Sequence, residues 1–318
     1  MLGLAHRGFA MTDYRRHILY TLRDAGYRTI LGGLQHIAAK PETIGYDDLR
    51  RAKSNRVADV APAARFLNSR PTEPFFLDVG FFETHRAYPA PTADDDPRYI
   101  QPPVPMPDTA ATRADMAGFH ASARILDQGV GHVLDALERS GLGANTLVIS
   151  TTDHGLAFPD MKCNLLDSGF GVSLIMRGPG VRGGKAIDAM VSQLDLFPTI
   201  CDMLELKHPA WLEGKSMLPL LRGETQQLHD EIFARGQLPR RLPTEARRPH
   251  AALEVHPPLQ RDAHARAAQL RRWPKQKPLA RVRLADSARS ASLPTWHLSS
   301  PICARASIRG CIAPMIRS

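Results

Sequence analysis

The chain has 318 residues, enough for one large domain or two, and 43% of them are hydrophobic, which allows a sizeable core. No apolar run reaches the roughly 18 residues that a membrane-spanning helix needs, so the sequence predicts no membrane span. The net charge is +9, but residues 236–318 hold 14 Arg and 2 Lys against 4 acidic residues, a net charge of +12, which leaves −3 for residues 1–235.

Helices and strands alternate in the first part of the chain. Thr12 can cap a helix over residues 13–25 that stops at Gly26, and an apolar run over 28–32 predicts a strand. Another helix is predicted over 59–66 and another strand over 74–82. This alternation is typical of an α/β domain.

The second part of the chain continues the alternation. A helix is predicted over residues 121–140, because its apolar residues recur at steps of four, three and four and so share one face, and Gly141 ends it. The other predicted elements are a proline-rich loop over 87–112, strands over 146–152 and 171–176, and a helix within 192–204 with Pro198 in its first turn.

Polar side chains follow three of these strands. His36 comes shortly after the first, His85 and Arg86 after the second, and Asp153 and His154 directly after the third. In open α/β sheets ligands bind beyond the carboxyl ends of parallel strands, so these side chains are expected on one edge, with Lys162 in the loop behind them. Taken singly, a histidine after a strand is more often a solvated or capping residue, and Asp-x-Gly is ordinary turn chemistry.

Several separate stretches then match one family, in the family's order. The chain contains TLVISTTDHG, SLIMRGPGV, FFETHRAYP, SQLDLFPTICDML and LEGKSMLPLLRG, and together these resemble the sulfatases of the alkaline phosphatase superfamily. The opening MLGLAHRGF and AGYRTILGGLQHI resemble the heparan N-sulfatase branch. The resemblance covers residues 1 to about 235 and implies a central, mostly parallel sheet flanked by helices, incomplete at its N-terminus.

The resemblance also implies roles for the residues at the strand ends. Asp153 matches a metal ligand, and His154 matches the adjacent ligand position, where Asn is common. Lys162 matches a lysine that contacts the sulfate, and His85 a histidine at the leaving oxygen. His36 matches a histidine that supports the nucleophile.

Arg86 is assigned to substrate contact by its place in the same stretch. The cation implied by the family is Ca²⁺, and the nucleophile is a formylglycine made from Cys or Ser in C/S-x-P-x-R. Leu34 and Gln35 depart from the family pattern, because many sulfatases have lysine or a bulky polar residue just before the histidine. The expected partner is a sulfated small molecule or sugar.

The sequence lacks two parts of the family's chemistry. None of its four cysteines and none of its serines lies in C/S-x-P-x-R, and the paired aspartates of the family's first strand are absent. We therefore expect a sulfuric ester or N-sulfate hydrolase that is truncated and inactive as given. The alternatives are a phosphonate or phosphodiester hydrolase of the same superfamily and a non-catalytic binding remnant.

Residues 236–318 differ in character from the rest. They contain no Tyr and no Phe, so we expect this basic tail to be disordered or an out-of-frame translation. A nucleic-acid-binding tail is the competing interpretation; it is disfavoured because only Trp273 and Trp296 could stack on bases. The four cysteines show no CxxC spacing and no regular framework, so the sequence supports neither a cysteine zinc site nor a disulfide scaffold. The start MLGLAHRGFA lacks the features of a secretory signal, and the compartment stays open, although the family is often periplasmic, secreted or lysosomal.

Overall fold

The computed structural model describes residues 10–50, 60–159, 161–162 and 165–233, together with the backbone of 308–314. All of them belong to the larger of two compact units, formed by residues 1–240 and 304–318. The helices are α1 (Ile18–Asp24), α2 (Ala61–Asn68), α3 (Ala110–Ser140), α4 (Asp167–Phe170), α5 (Leu196–Met203) and α6 (Leu218–Arg222). The strands are β1 (Arg28–Gly33), β2 (Asp48–Arg50), β3 (Phe75–Gly80), β4 (Thr146–Thr152), β5 (Leu174–Arg177) and β6 (Ile308–Pro314).

The six strands form one mixed sheet with the order β2-β1-β3-β6-β4-β5. Strand β1 pairs in parallel with β2 and with β3. Strand β6 is antiparallel to both β3 and β4, so β3 and β4 run in the same direction, and β5 is antiparallel to β4. The predicted α/β class is confirmed, and β1, β3 and β4 end at the same edge of the sheet.

Helices cover both faces of the sheet. Phe75 and Leu77 of β3 pack with α2 and α3 on one face, while Phe76 between them packs with α1 and α5 on the other. Successive side chains of a strand point to opposite faces, which explains why three consecutive residues of β3 are all buried. Among the described helices, none is both long and apolar enough to cross a bilayer.

Two helices begin at other residues than predicted. Helix α1 begins at Ile18, because Asp13 rather than Thr12 caps a short 3-10 turn, and the His17 side chain then caps α1 by accepting from the Leu19 amide at 3.3 Å. Helix α3 begins 11 residues before the predicted start, at a capping box in which the Thr109 and Thr112 side chains each bond the other's amide. Gly141, at φ +77°, ends α3 where predicted.

Part of the predicted tail belongs to the sheet. We predicted no folded structure for residues 236–318, yet the backbone of β6 lies between β3 and β4. The other residues of the tail lie outside the described ones. The disordered or out-of-frame tail and the competing nucleic-acid-binding tail therefore both stay predictions for those residues.

Candidate active site

The three strand ends that were expected to share an edge do share it. His36 follows β1 by three residues, His85 follows β3 by five, and Asp153 directly follows β4. Strands β1 and β3 are neighbours, whereas β6 separates β3 from β4, which places the ends of β3 and β4 about 10 Å apart. His36 and His85 thus follow the β1–β3 side of this edge, and Asp153 and His154 follow its β4 side.

Glycines allow the chain segments after β1 and β3 to touch. The Leu34 amide donates to the Gly80 carbonyl at 3.0 Å. A Cβ atom on Gly80 would lie 1.8 Å from the Leu34 carbonyl oxygen, and a Cβ on Gly33 would lie 2.2 Å from the Gly80 carbonyl oxygen. Only glycine fits these two positions, and the loop that carries His36 is thereby held against the end of β3.

The loop at His36 is braced by its neighbour. The Gln35 side-chain oxygen accepts from the Ile37 amide at 2.8 Å and from the Ala38 amide at 2.9 Å, and its Nε2 donates to the Ala38 carbonyl at 2.7 Å. Gln35 therefore fixes the shape of this loop. The His36 side chain is exposed beside it.

The His85 ring has one nitrogen committed to the backbone. Its Nδ1 lies 2.7 Å from the Arg86 carbonyl oxygen, and its ring packs against Phe82 with centroids 4.9 Å apart. Since a carbonyl oxygen can only accept, Nδ1 carries the proton of this hydrogen bond. In the neutral ring Nε2 is then the basic nitrogen, and in the imidazolium it is a proton donor.

Arg86 joins three segments of the edge. Its guanidinium forms a bidentate ion pair with Asp115 of α3, with one N–O distance of 2.7 Å, and lies 4.6 Å from the Tyr88 ring and 5.3 Å from the Phe158 ring. The hydrogen bonds from Asp115 raise the pKa of Arg86 above its ordinary value. Arg86 thus anchors the segment after β3, and substrate contact by it stays a prediction.

The loop after β4 is fixed by buried apolar residues. Phe158 and Met161 pack in a cluster with Phe119 of α3, and Gly155 lies so close to α4 that a Cβ there would be 2.1 Å from the Ser168 carbonyl oxygen. The Lys162 amide donates to the Leu156 carbonyl at 3.0 Å, so the loop folds back on itself. The Lys162 side chain is exposed at its end.

Asp153 and His154 face each other directly beyond the end of β4. His154 Nε2 lies 3.6 Å from Asp153 Oδ1, and its Nδ1 lies 2.6 Å from the Gly155 carbonyl oxygen. Both side chains are partly exposed, at 36% for Asp153 and 29% for His154. Within the described part of the chain, no hydrogen bond or ion pair joins His85 or Lys162 to this pair.

The strand end next to Asp153 is held by a residue that the sequence did not single out. Gln193 Nε2 donates to the Thr152 carbonyl and lies 3.4 Å from Thr151 Oγ1. Gln193 belongs to the stretch SQLDLFPTICDML, one of those that resemble the family, and this membership could have marked it as a candidate. Asp115 carried no such signal, because it lies 29 residues from the arginine that it binds.

The described residues do not fit a calcium ion by themselves. Ca²⁺ takes roughly six to eight oxygen ligands. In the described parts of the chain no three His, Cys, Asp or Glu side chains are grouped to hold a metal ion, so Asp153 and His154 stand as a pair. One member of that pair offers nitrogen instead of oxygen.

Comparison with known proteins identifies the family. The Sulfatase family model matches residues 11–206. N-sulphoglucosamine sulphohydrolase of Homo sapiens is 32% identical over 260 residues, which cover 68% of this chain and 51% of that protein. The chain therefore spans about half the length of this relative.

Solved structures show the same fold at lower identity. A protein solved in complex with its substrate D-glucosamine-2-N,6-O-disulfate has a TM-score of 0.56 and 15% identity, covering 72% of this chain and 69% of that one. A phosphonate monoester hydrolase from Silicibacter pomeroyi has a TM-score of 0.52 and 20% identity, covering 70% of this chain and 64% of that one. With its family match over most of the described residues, the chain belongs to the sulfatase family.

Proposed function

We propose that this chain carries part of the active site of a hydrolase that removes sulfate from a sulfated sugar, as an O-sulfate ester or an N-sulfate. Three lines support the proposal: membership of the sulfatase family, a relative named for sulphoglucosamine, and a structural neighbour solved with a sulfated glucosamine. The observation that carries it is the convergence of β1, β3 and β4 on the edge with His85, Asp153 and His154.

The residues have distinct parts in this proposal. His85, with Nδ1 fixed to the Arg86 carbonyl, can present protonated Nε2 to the leaving oxygen as a general acid. The Lys162 ammonium supplies a positive charge for the sulfate oxygens, and His36 supports the nucleophile. Asp153 and His154 are the described residues that would contribute to holding a divalent cation, and such a cation would withdraw charge from the sulfate oxygens.

The nucleophile is the missing part. Since no C/S-x-P-x-R occurs in the 318 residues, we propose that they bind a sulfated sugar without turning it over. Should the coding DNA upstream of Met1 contain the motif in frame, the longer protein is the one to assay for turnover against a sulfate ester and a phosphodiester.

Binding to the chain itself tests the proposal. Saturation-transfer NMR should show glucosamine N-sulfate, but not unsulfated glucosamine, in contact with the protein. His85→Gln and Lys162→Ala should each weaken the signal, whereas the matched changes His132→Gln and Lys185→Ala, both at exposed positions, should not.

Two results would overturn the proposal. Tighter binding of a phosphonate or phosphate diester would favour the alternative hydrolase, whose known representative shares the fold. A cooperatively melting chain that binds neither class of anion would favour a non-catalytic remnant.

A further inference from the structure

Six arginines among the described residues lie over an aromatic ring, and one of them differs from the rest. Five of the six also form an ion pair with an aspartate or a glutamate, namely Arg23, Arg28, Arg50, Arg86 and Arg98. The sixth is Arg16, whose guanidinium carbon lies 5.6 Å from the centre of the Trp211 ring. No carboxylate in the described ranges forms an ion pair with Arg16.

Trp211 holds the guanidinium of Arg16 and leaves its edge open to a ligand. The indole is itself packed against Phe197, with ring centroids 5.4 Å apart and an interplanar angle of 79°. A guanidinium that lies over a ring still presents N–H donors along its edge, in a planar arrangement that matches a carboxylate or a sulfate. Arg16 is partly exposed. It therefore offers a cation in a fixed position to an anion from outside the chain.

Arg16 lies on the β1 side of the candidate active site. Helix α1 begins at Ile18 and leads through a short turn into β1, so the start of the helix lies at the edge where β1 ends. The Tyr14 hydroxyl, two residues before Arg16, donates to the Ile37 carbonyl at 2.8 Å. This hydrogen bond joins the start of α1 to the loop that carries His36.

Trp211 lies on the β4 side of the same edge. Its loop is pressed against the turn before α5, because a Cβ atom on Gly214 would lie 2.1 Å from the Leu194 carbonyl oxygen. Gln193 of that turn donates to the last carbonyl of β4. The contact of Arg16 with Trp211 therefore joins the β1 side of the candidate site to its β4 side.

The surroundings of Arg16 are positively charged. Arg15 and Lys40 are both exposed on the β1 side, and neither forms an ion pair within the described part of the chain. Asp13 is the acidic neighbour in sequence, and its side chain accepts from the Arg15 amide at 2.9 Å. Three cations against one carboxylate favour an anionic ligand here.

We propose that Arg16, held in place by Trp211, binds a second acidic group of the ligand. The ligand is then a chain of at least two sugars, in which the unit next to the sulfated one carries a carboxylate or a sulfate. This inference rests on the proposed function for the sulfated sugar itself. A hydrogen bond between a charged donor and a charged acceptor at a partly exposed site favours the acidic ligand about tenfold.

Four ligands test the inference with the whole chain. Isothermal titration calorimetry compares glucosamine N-sulfate alone with the same sugar joined to glucose, to glucuronic acid or to glucose 6-sulfate. We expect the acidic disaccharides to bind about tenfold more tightly than the neutral one. If only one of the two gains affinity, its acidic group is the one that Arg16 binds.

Variants assign the gain to the two residues. Arg16→Gln should bring the acidic disaccharides to the affinity of the neutral one. Trp211→Ala should also lose the gain, whereas Trp211→Phe should keep most of it, because a phenyl ring still supports the guanidinium. The control is Arg182→Gln, an exposed arginine beyond β5 at the opposite edge of the sheet, which should keep the full gain.

The outcomes separate this inference from the proposed function. If the parent chain binds glucosamine N-sulfate but binds the neutral and acidic disaccharides equally, the inference alone is wrong. An undiminished gain in Arg16→Gln also overturns it, even if Trp211→Ala fails to fold. If the parent chain binds none of the four ligands, the proposed function fails, and the inference fails with it.

Discussion

Arg86 and Asp115 form a bidentate ion pair across 29 residues of sequence, and the pair ties the segment after β3 to α3. Its side chains are 44% and 33% exposed, so solvent screens much of the attraction. The stacking of Arg86 on Tyr88 and Phe158 adds a contact that does not depend on Asp115. The pair therefore orients Arg86 and contributes little to the free energy of unfolding.

Asp115→Asn should separate these two effects. We expect the free energy of unfolding to fall by less than about 1 kcal/mol, measured by urea titration, because the pair is partly exposed. Binding of the sulfated sugar should weaken more clearly, since the guanidinium then loses its fixed orientation. Asp96→Asn, which breaks the exposed pair with Arg98, is the control and should change neither quantity appreciably. A large loss of stability without a change in binding would contradict this account.

Gly80 and Gly131 should respond to alanine in opposite directions. In Gly80→Ala the new Cβ meets the Leu34 carbonyl oxygen at 1.8 Å, and because both groups are held by backbone, we expect severe destabilisation. In Gly131→Ala the Cβ has open space in the interior of α3, and the helix should gain about 0.5–1 kcal/mol. Thermal unfolding of both variants beside the parent chain measures the contrast. A normal melting temperature for Gly80→Ala would show that the loop after β1 does not pack as described.

Gln193→Leu should loosen the end of β4. The change removes the Nε2 donor and leaves the Thr152 carbonyl with only a 3.4 Å contact from Thr151 Oγ1 among its side-chain donors in the described residues, at a cost of about 1–3 kcal/mol in the free energy of unfolding. Binding of the sulfated sugar should weaken at the same time, because the strand end that carries Asp153 is less fixed. Gln227→Leu removes an exposed side-chain hydrogen bond and is the matched control for both measurements. Unchanged sugar binding in Gln193→Leu would exclude this positioning role.

Cys201 should be unreactive in the folded protein. Burial raises the pKa of its thiol to about 11, so very little thiolate exists near neutral pH. We expect iodoacetamide to alkylate this cysteine slowly at pH 8 and rapidly after addition of urea, as followed by peptide mass spectrometry. Fast alkylation under native conditions would mean that α5 does not stay packed against the sheet.

His120 should make stability depend on pH. Burial in α3 lowers the pKa of its imidazole below the ordinary 6.5; the negative charge of Asp95 opposes this shift, and the positive charge of Arg124 adds to it. The unfolded chain therefore binds the proton at a higher pH than the folded chain, and the free energy of unfolding declines as the pH falls from about 6.5 through the lower folded pKa.

Replacement of this histidine checks the sign. His120→Gln should flatten the pH dependence over that range, measured by urea unfolding at several pH values. His132→Gln, at an exposed position on the same helix, should leave the dependence intact. An equal effect of the two replacements would rule out burial as the cause.

Local signals in the sequence explain which parts of the fold were predictable. The end of β4 could be predicted because an apolar, β-branched run stops before Asp153. The end of α3 could be predicted because Gly141 readily takes the left-handed conformation that the structure shows there. The start of α3 was missed because its first turns mix alanine with polar residues and show no clear apolar stripe, so periodicity alone could not extend the helix back to Thr109. Contacts between distant residues, such as Gln193 with Thr152, leave no local pattern.

The position of β6 between β3 and β4 affects the order in which the sheet can form during synthesis. Both neighbours of β6 precede it by well over a hundred residues, and its backbone joins β3 to β4 within the sheet. Contacts of such long sequence separation form slowly, because the intervening chain must be closed into a loop first. We therefore expect the hydrogen-bonded link between β3 and β4 to form late, and a nascent chain that stops before β6 leaves one edge of each strand unpaired and open to other chains.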